Sequence, residues 1–158
     1  MPHGVRHQFG REEFGDVDQE VDRWVEHRMR RRVIVERTDA IPYETVVHEA
    51  ALRIRVGDRT QARAQLVRIM ELSEADHVTV RVIPFDVDGF GGADSAVVYA
   101  GGPVRALDTV VRDGPHGTVF VDAAAQLLRY RTLFRRLETV ALDPGRSRAF
   151  IHRLAKEL

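Results

Sequence analysis

Two pairs of side chains in this sequence have the chemistry to move protons. His48 and Glu49 stand side by side at the end of a β-branched run, and an imidazole next to a carboxylate can serve as acid and base near neutral pH. Asp113 and His116 flank Gly114-Pro115, a turn that could bring their tips together. Both pairs also have a structural reading. Neighbours in a strand point to opposite faces, and the zinc-protease pattern requires a second histidine four positions on, where this chain has Leu52. Aspartate beside Gly-Pro is ordinary turn chemistry.

Other chemistries are less well supplied. The chain has no cysteine, which removes disulfides, thiolate zinc sites, iron–sulfur clusters and cysteine nucleophiles together. Asp86, Asp88 and Asp94 surround Gly89-Phe90-Gly91-Gly92, but the closing bidentate glutamate of a calcium loop is missing. The same glycines lack the lysine and hydroxyl of a phosphate loop, and a strand follows them where a helix would be needed. Ser73, Ser95 and Ser147 lie in no nucleophile elbow. Neither a metal nor a cofactor is expected. Arg28, Arg30, Arg31 and Arg32 read either as a phosphate-binding strip or as the cationic end of a helix. Arg129, Arg131, Arg135 and Arg136 form a second cluster that could meet an acidic partner. The aromatic residues Trp24, Tyr99, Phe120 and Tyr130 are candidates to line a small-molecule pocket, with core packing as their other reading.

These residues must be positioned by one ordinary domain. A chain of 158 residues buries roughly 70% of its unfolded surface and needs no disulfide or metal to hold together. Basic and acidic residues balance at 24 each, so no whole-molecule field draws the chain to nucleic acid. The first twenty residues are polar and acidic, and no apolar run approaches bilayer length; the reading is a cytoplasmic protein, neither secreted nor inserted.

Residues 1–15 show no period and read as a loose arm, and residues 16–158 as the domain. Val17, Val21, Trp24, Val25, Met29 and Val33 recur at helical steps, ending before Pro42. Thr45 to Val47 reads as a strand running into a turn at His48 to Leu52. A helix capped by Gly57 and Asp58 carries Ala62, Leu66, Ile69 and Met70 on one face. Val78, Val80 and Val82 alternate with polar residues in a half-buried strand. Ser95 to Ala100, Leu107 to Arg112 and Thr118 to Val121 read as an antiparallel meander. Two helices close the chain, the second capped by Asp143 with Pro144 in its first turn. The expected fold is α+β: a mainly antiparallel sheet of four to five strands with helices packed on one face.

In this order the segments Arg28-Met29-Arg30-Arg31-Arg32, Val47-His48-Glu49-Ala50-Ala51-Leu52-Arg53, Val78-Thr79-Val80-Arg81-Val82-Ile83-Pro84-Phe85, Arg129 to Leu137 and Ser147-Arg148-Ala149-Phe150-Ile151 resemble a known family. It is the C-terminal domain of actinobacterial antitoxin-like transcriptional regulators, a domain without assigned function. The resemblance runs from about Val21 to Leu158. It implies a regulatory module that follows a helix-turn-helix and works with a small-molecule effector or a small protein partner encoded beside it, with no established catalysis. Only about twenty residues precede the matching region, so direct nucleic-acid binding by this chain is not expected.

Two functions therefore stand side by side. The first is a non-enzymatic module that binds an effector near Trp24, Tyr99, Phe120 and Tyr130, or a partner protein. The second is a stand-alone, cofactor-independent biosynthetic enzyme using His48, Glu49, Asp113 or His116. The final helices could in addition pair with a second copy in a homodimer.

Overall fold

The computed structural model describes residues 22, 25, 26, 29–36, 41–88, 96–114 and 117–158. The arm at 1–15, Trp24, Arg28, His116 and the glycine loop at 89–95 lie outside the described residues. The chain divides into two compact units, Met1–Phe85 with Leu142–Leu158 and Asp86–Ala141.

In the first unit Asp22, Val25, Glu26, Met29 and Arg30 are helical, in keeping with the first amphipathic run. A short helix α1 (Arg32–Glu36) follows. Strand β1 (Tyr43–His48) leads into helix α2 (Glu49–Arg53), then α3 (Arg59–Leu72) and strand β2 (Val78–Ile83). The unit is completed by the last helix of the chain, which spans Pro144–Glu157.

The two strands pair in parallel, Tyr43 opposite Val78 through His48 opposite Ile83. Parallel pairing is open to them because the segment between is long enough to cross over, with α3 as the crossover helix. Helix α3 starts where the sequence signals it should: Asp58 accepts the Gln61 amide at 2.7 Å, and the Gln61 side chain returns to the Asp58 amide. Gly57 precedes the cap at φ +98°, a region that L side chains rarely adopt. Val78, Val80 and Val82 turn inward with Leu52, Leu66, Ile151, Leu154 and Ala155 to form the core. The last helix lies antiparallel to α3. Arg59 at the start of α3 donates to the Glu157 carbonyl at 3.0 Å, and Arg148 donates to the Ser73 carbonyl at the end of α3 at 2.8 Å.

The second unit is an antiparallel meander, β3 (Val97–Ala100), β4 (Thr109–Gly114) and β5 (Gly117–Val121), with a 3₁₀ turn at Arg105–Leu107 and helix α4 (Ala124–Val140). The last helix of the first unit is therefore α5 (Pro144–Glu157), capped by the Asp143 carboxylate on the Arg146 amide at 2.9 Å with Pro144 in its first turn. In the meander, Tyr99 pairs with Val110 and Val110 with Val121, a row on one face. Val98, Val111 and Phe120 form the row on the other.

Mixed α and β composition is thus as expected, but one sheet of four to five strands is not what forms. Among the described residues there are two sheets, a parallel pair and an antiparallel triplet. The physical reason lies on the far edge of β2. Val82 donates its amide to Ser147 Oγ at 2.9 Å, and its carbonyl accepts from the Leu142 amide at 2.8 Å. Those groups are what a third strand would have needed. The strand expected from Leu107 also starts later, because Arg105–Leu107 folds as a turn and leaves Leu107 exposed.

Candidate functional site

His48 and Glu49 sit at the carboxyl end of the parallel pair, the end at which open α/β sheets generally place ligands. The reading of His48 to Leu52 as a turn translates into α2, with His48 as its cap: His48 Nδ1 accepts the Ala50 amide at 3.2 Å. The His48 ring meets Phe85 edge-on, centroids 5.2 Å apart. Glu49 is buried. Its Oε2 accepts the Phe85 amide at 2.9 Å and its Oε1 accepts Arg53 Nε at 2.5 Å. Burial works against the charge on Glu49, but the Phe85 amide and the Arg53 guanidinium outweigh it and hold its pKa below the ordinary glutamate value. Glu49 thus ties the end of β2 to α2, with both carboxylate oxygens committed.

Arg53 carries the cluster onward, donating to Glu157 Oε2 at 3.0 Å. From there two adjoining hollows open along α3. One, of about 300 Å³, is lined by Leu52, Arg53, Arg55, Arg59, Leu66, Leu154, Glu157 and Leu158. The other, of about 520 Å³, is lined by Arg59, Thr60, Arg63, Ala64, Val67, Arg68, Glu71 and Leu158. Arg59 and Leu158 border both. The two hollows form a groove with five arginines against two glutamates. Arg68 is paired with Glu71 at 3.1 Å and with Glu36 at 2.7 Å. This groove was not singled out from the sequence, although Arg59 and Arg63 are four apart in a helical run and must share a face.

The second unit holds a separate polar cluster. Asp108 is buried and accepts Tyr99 Oη at 2.5 Å, Arg131 Nη2 at 2.9 Å and the Gly102 amide at 3.2 Å. Arg131 Nε donates to Tyr99 Oη at 2.6 Å, and its guanidinium lies 5.6 Å from the Tyr99 ring centre. Phe134 meets the same ring edge-on. The Tyr99 hydroxyl, the Gly102 amide and Arg131 hold the Asp108 carboxyl below its ordinary range against the effect of burial. Burial and then Asp108 push the Tyr99 phenol upward. Every polar tip has a partner, so the cluster clamps β3, the turn before β4 and α4. Asp108 stood out by no motif in the sequence; only the fold brings it to Tyr99 and Arg131.

The remaining candidates are placed as follows. Asp113 Oδ1 accepts Thr118 Oγ1 at 2.9 Å across the β4–β5 register. His116 and Trp24 lie outside the described residues. Phe120 is 70% exposed and points to the face of the meander opposite Tyr99. Tyr130 is half-buried on α4. Tyr99 and Phe120 therefore do not share a wall of one pocket. In the basic clusters, Arg30 and Arg32 pair with Glu26 and Glu36 one helical turn away, at 2.6 and 2.9 Å. Arg131 belongs to the clamp. Among the described residues no three His, Asp or Glu side chains gather as metal ligands, and no helix is long and apolar enough to cross a membrane.

No curated protein and no solved structure matches the chain. A family model does, over residues 3–153, described as Domain of unknown function (DUF5753). The match takes in both β1-α3-β2 with its buried Glu49 and the meander with its Asp108 clamp, and the chain belongs to the DUF5753 family.

Proposed function

We propose that the chain is a non-enzymatic regulatory module, working in the cytoplasm, that binds a small-molecule effector or a small partner protein. One observation carries the reading. The acid–base candidates among the described residues are engaged in structural bonds: Glu49 with both oxygens, His48 as a helix cap, Asp113 across a strand pair. The hollows of the first unit are instead open and lined with arginines, a surface suited to recognition. Resemblance to the C-terminal domain of antitoxin-like helix-turn-helix regulators supports the same role, since it implies a module that senses a small molecule or binds a small partner protein. A thermal-shift series tests it, because any ligand of the native state must raise the melting temperature. The probes are the proteins encoded by neighbouring genes and a metabolite panel. A rise of several degrees with at least one of them is expected; no shift with any of them removes the reading.

A second reading, a cofactor-independent enzyme of a biosynthetic pathway, is favoured by one feature, the position of His48 and Glu49 at the carboxyl ends of parallel strands. Turnover that is lost in His48→Gln and kept in Arg63→Glu would replace the first reading with this one.

A further inference from the structure

We infer that the groove along α3 is the recognition site and that its occupant is an acidic segment of a partner protein. This rests on the binding-module reading and gives it a place and a partner chemistry.

Three of the five groove arginines are electrostatically unspent. Arg53 and Arg68 each contact two glutamates. Arg59 contacts only the neutral carbonyl of Glu157. Arg55 and Arg63 have no hydrogen-bond or ion-pair partner among the described residues. Guanidinium groups are suited to forked contacts with carboxylates, and an incoming acid would find here three that meet no carboxylate among the described residues.

The shape selects a polypeptide over a small anion. Helix α3 from Arg59 to Glu71 measures roughly 18 Å at 1.5 Å per residue, and its groove-lining residues advance by helical turns: Arg59 and Thr60, Arg63 and Ala64, Val67 and Arg68, then Glu71. A small-molecule site would enclose most of its ligand, whereas this one is an open trough. Cationic steps alternate with the apolar surface of Ala64, Val67 and Leu158. A segment with carboxylates about one helical turn apart and apolar side chains between them matches that pattern. At the mouth, the loop before α3 exposes Ile54 (66%) and Val56 (73%) on either side of Arg55. Arginine is enriched at interface hot spots, and here exposed apolar side chains flank it.

Charge also speaks against a lipid surface. Arg59 and Arg63 line a concavity that a flat bilayer cannot enter, and Glu71 and Glu157 border the same hollows. Arg129, Arg135 and Arg136 on α4, also without an ion-pair partner among the described residues, line neither hollow and serve as the control.

The test uses a fluorescein-labelled twelve-residue peptide with glutamate at every fourth position and leucines between, and its glutamine counterpart. Fluorescence anisotropy is read on the full chain, on Arg55→Glu/Arg63→Glu and on Arg129→Glu/Arg136→Glu, which carries the same change in net charge. Because none of the four side chains holds a hydrogen bond or ion pair among the described residues, both variants should melt like the parent. The glutamate peptide is expected to bind the parent and the α4 variant alike, to weaken about tenfold or more on the groove variant, and to weaken with salt. Equal binding by the glutamine peptide overturns the proposal. So does loss on the α4 variant, full retention on the groove variant, or no binding up to roughly millimolar peptide. Competition by citrate at equal carboxylate concentration would mark a simple anion site, and retention on phosphatidylserine vesicles without peptide binding would mark a lipid surface; each also overturns it. A neighbouring-gene protein that raises the melting temperature of parent and groove variant equally would leave the binding module standing while removing this site.

Discussion

The Ser147 hydroxyl meets the Val82 amide on the edge of β2 that β1 leaves open. The fully buried Ser147 hydroxyl accepts the Val82 amide at 2.9 Å and donates to the Leu142 carbonyl at 3.1 Å. One side chain thus occupies the edge that a third strand would have used. Replacing it leaves a buried donor and a carbonyl without partners, which costs about 1–3 kcal/mol. Ser147→Ala is expected to lower the unfolding free energy by that amount, read as a lower urea midpoint with the slope of the transition unchanged. A midpoint within error of the parent would show that the edge is satisfied by other means.

Stability should depend on pH at both extremes, with opposite signs. Glu49 and Asp108 have native pKa values below their ordinary ones. As pH falls below the ordinary carboxylate range, about 4, the unfolded chain therefore takes up protons first, and the stability these groups contribute is lost toward their depressed native values. Tyr99 is shifted upward, so its contribution is present below about pH 10 and fades as pH rises toward its native pKa. Urea midpoints from acid to alkaline pH read this directly. Glu49→Gln and Asp108→Asn should each flatten the acid limb, and Tyr99→Phe the alkaline limb.

The start of α3 should show coupled losses. Asp58→Ala removes the cap, at about 1 kcal/mol. Gly57→Ala forces a side chain into positive φ, at about 1–3 kcal/mol, and its Cβ would collide with Gln61 Oε1, the group that bonds the Asp58 amide. Since both changes dismantle one capping box, the double variant should lose less than the sum of the two. Additive thermal shifts would mean that Gly57 acts through its backbone alone.

Within the Asp108 clamp the order of effects is set by how much of the Asp108–Arg131 ion pair each change leaves. Tyr99→Phe leaves the Asp108–Arg131 pair at 2.9 Å intact. Arg131→Lys loses the fork that reaches Tyr99 and Asp108 at once. Asp108→Ala strands three donors. Protection of β3 and β4 amides from hydrogen exchange should fall in that order, and a larger loss in Tyr99→Phe than in Asp108→Ala would reverse the assignment of Asp108 as the centre of the clamp.

Local signals in the chain were legible where the physics is local. Alternating Val78, Val80 and Val82 marked a half-buried strand, Asp58 and Asp143 marked helix starts, and the glycine-bounded meander followed from turn chemistry. The candidate site was legible only in part. His48 and Glu49 were recognisable as a polar pair, but their partners, the Phe85 amide 36 residues away and Glu157 beyond Arg53, belong to no motif. Arg55, Arg59 and Arg63 carry no motif, and only the hollows between α3 and the end of α5 give them a common wall.

What the sequence by itself determined is the set and order of helices and strands, because periodicity, capping and turn residues act within a few positions of one another. What only the tertiary structure decided is which edges pair and which charges remain unspent. The free edge of β2 at Val82 is met by Ser147 and Leu142, sixty or more residues along the chain, and charge balance rests on contacts between helices; such long-range competition leaves no trace in local pattern.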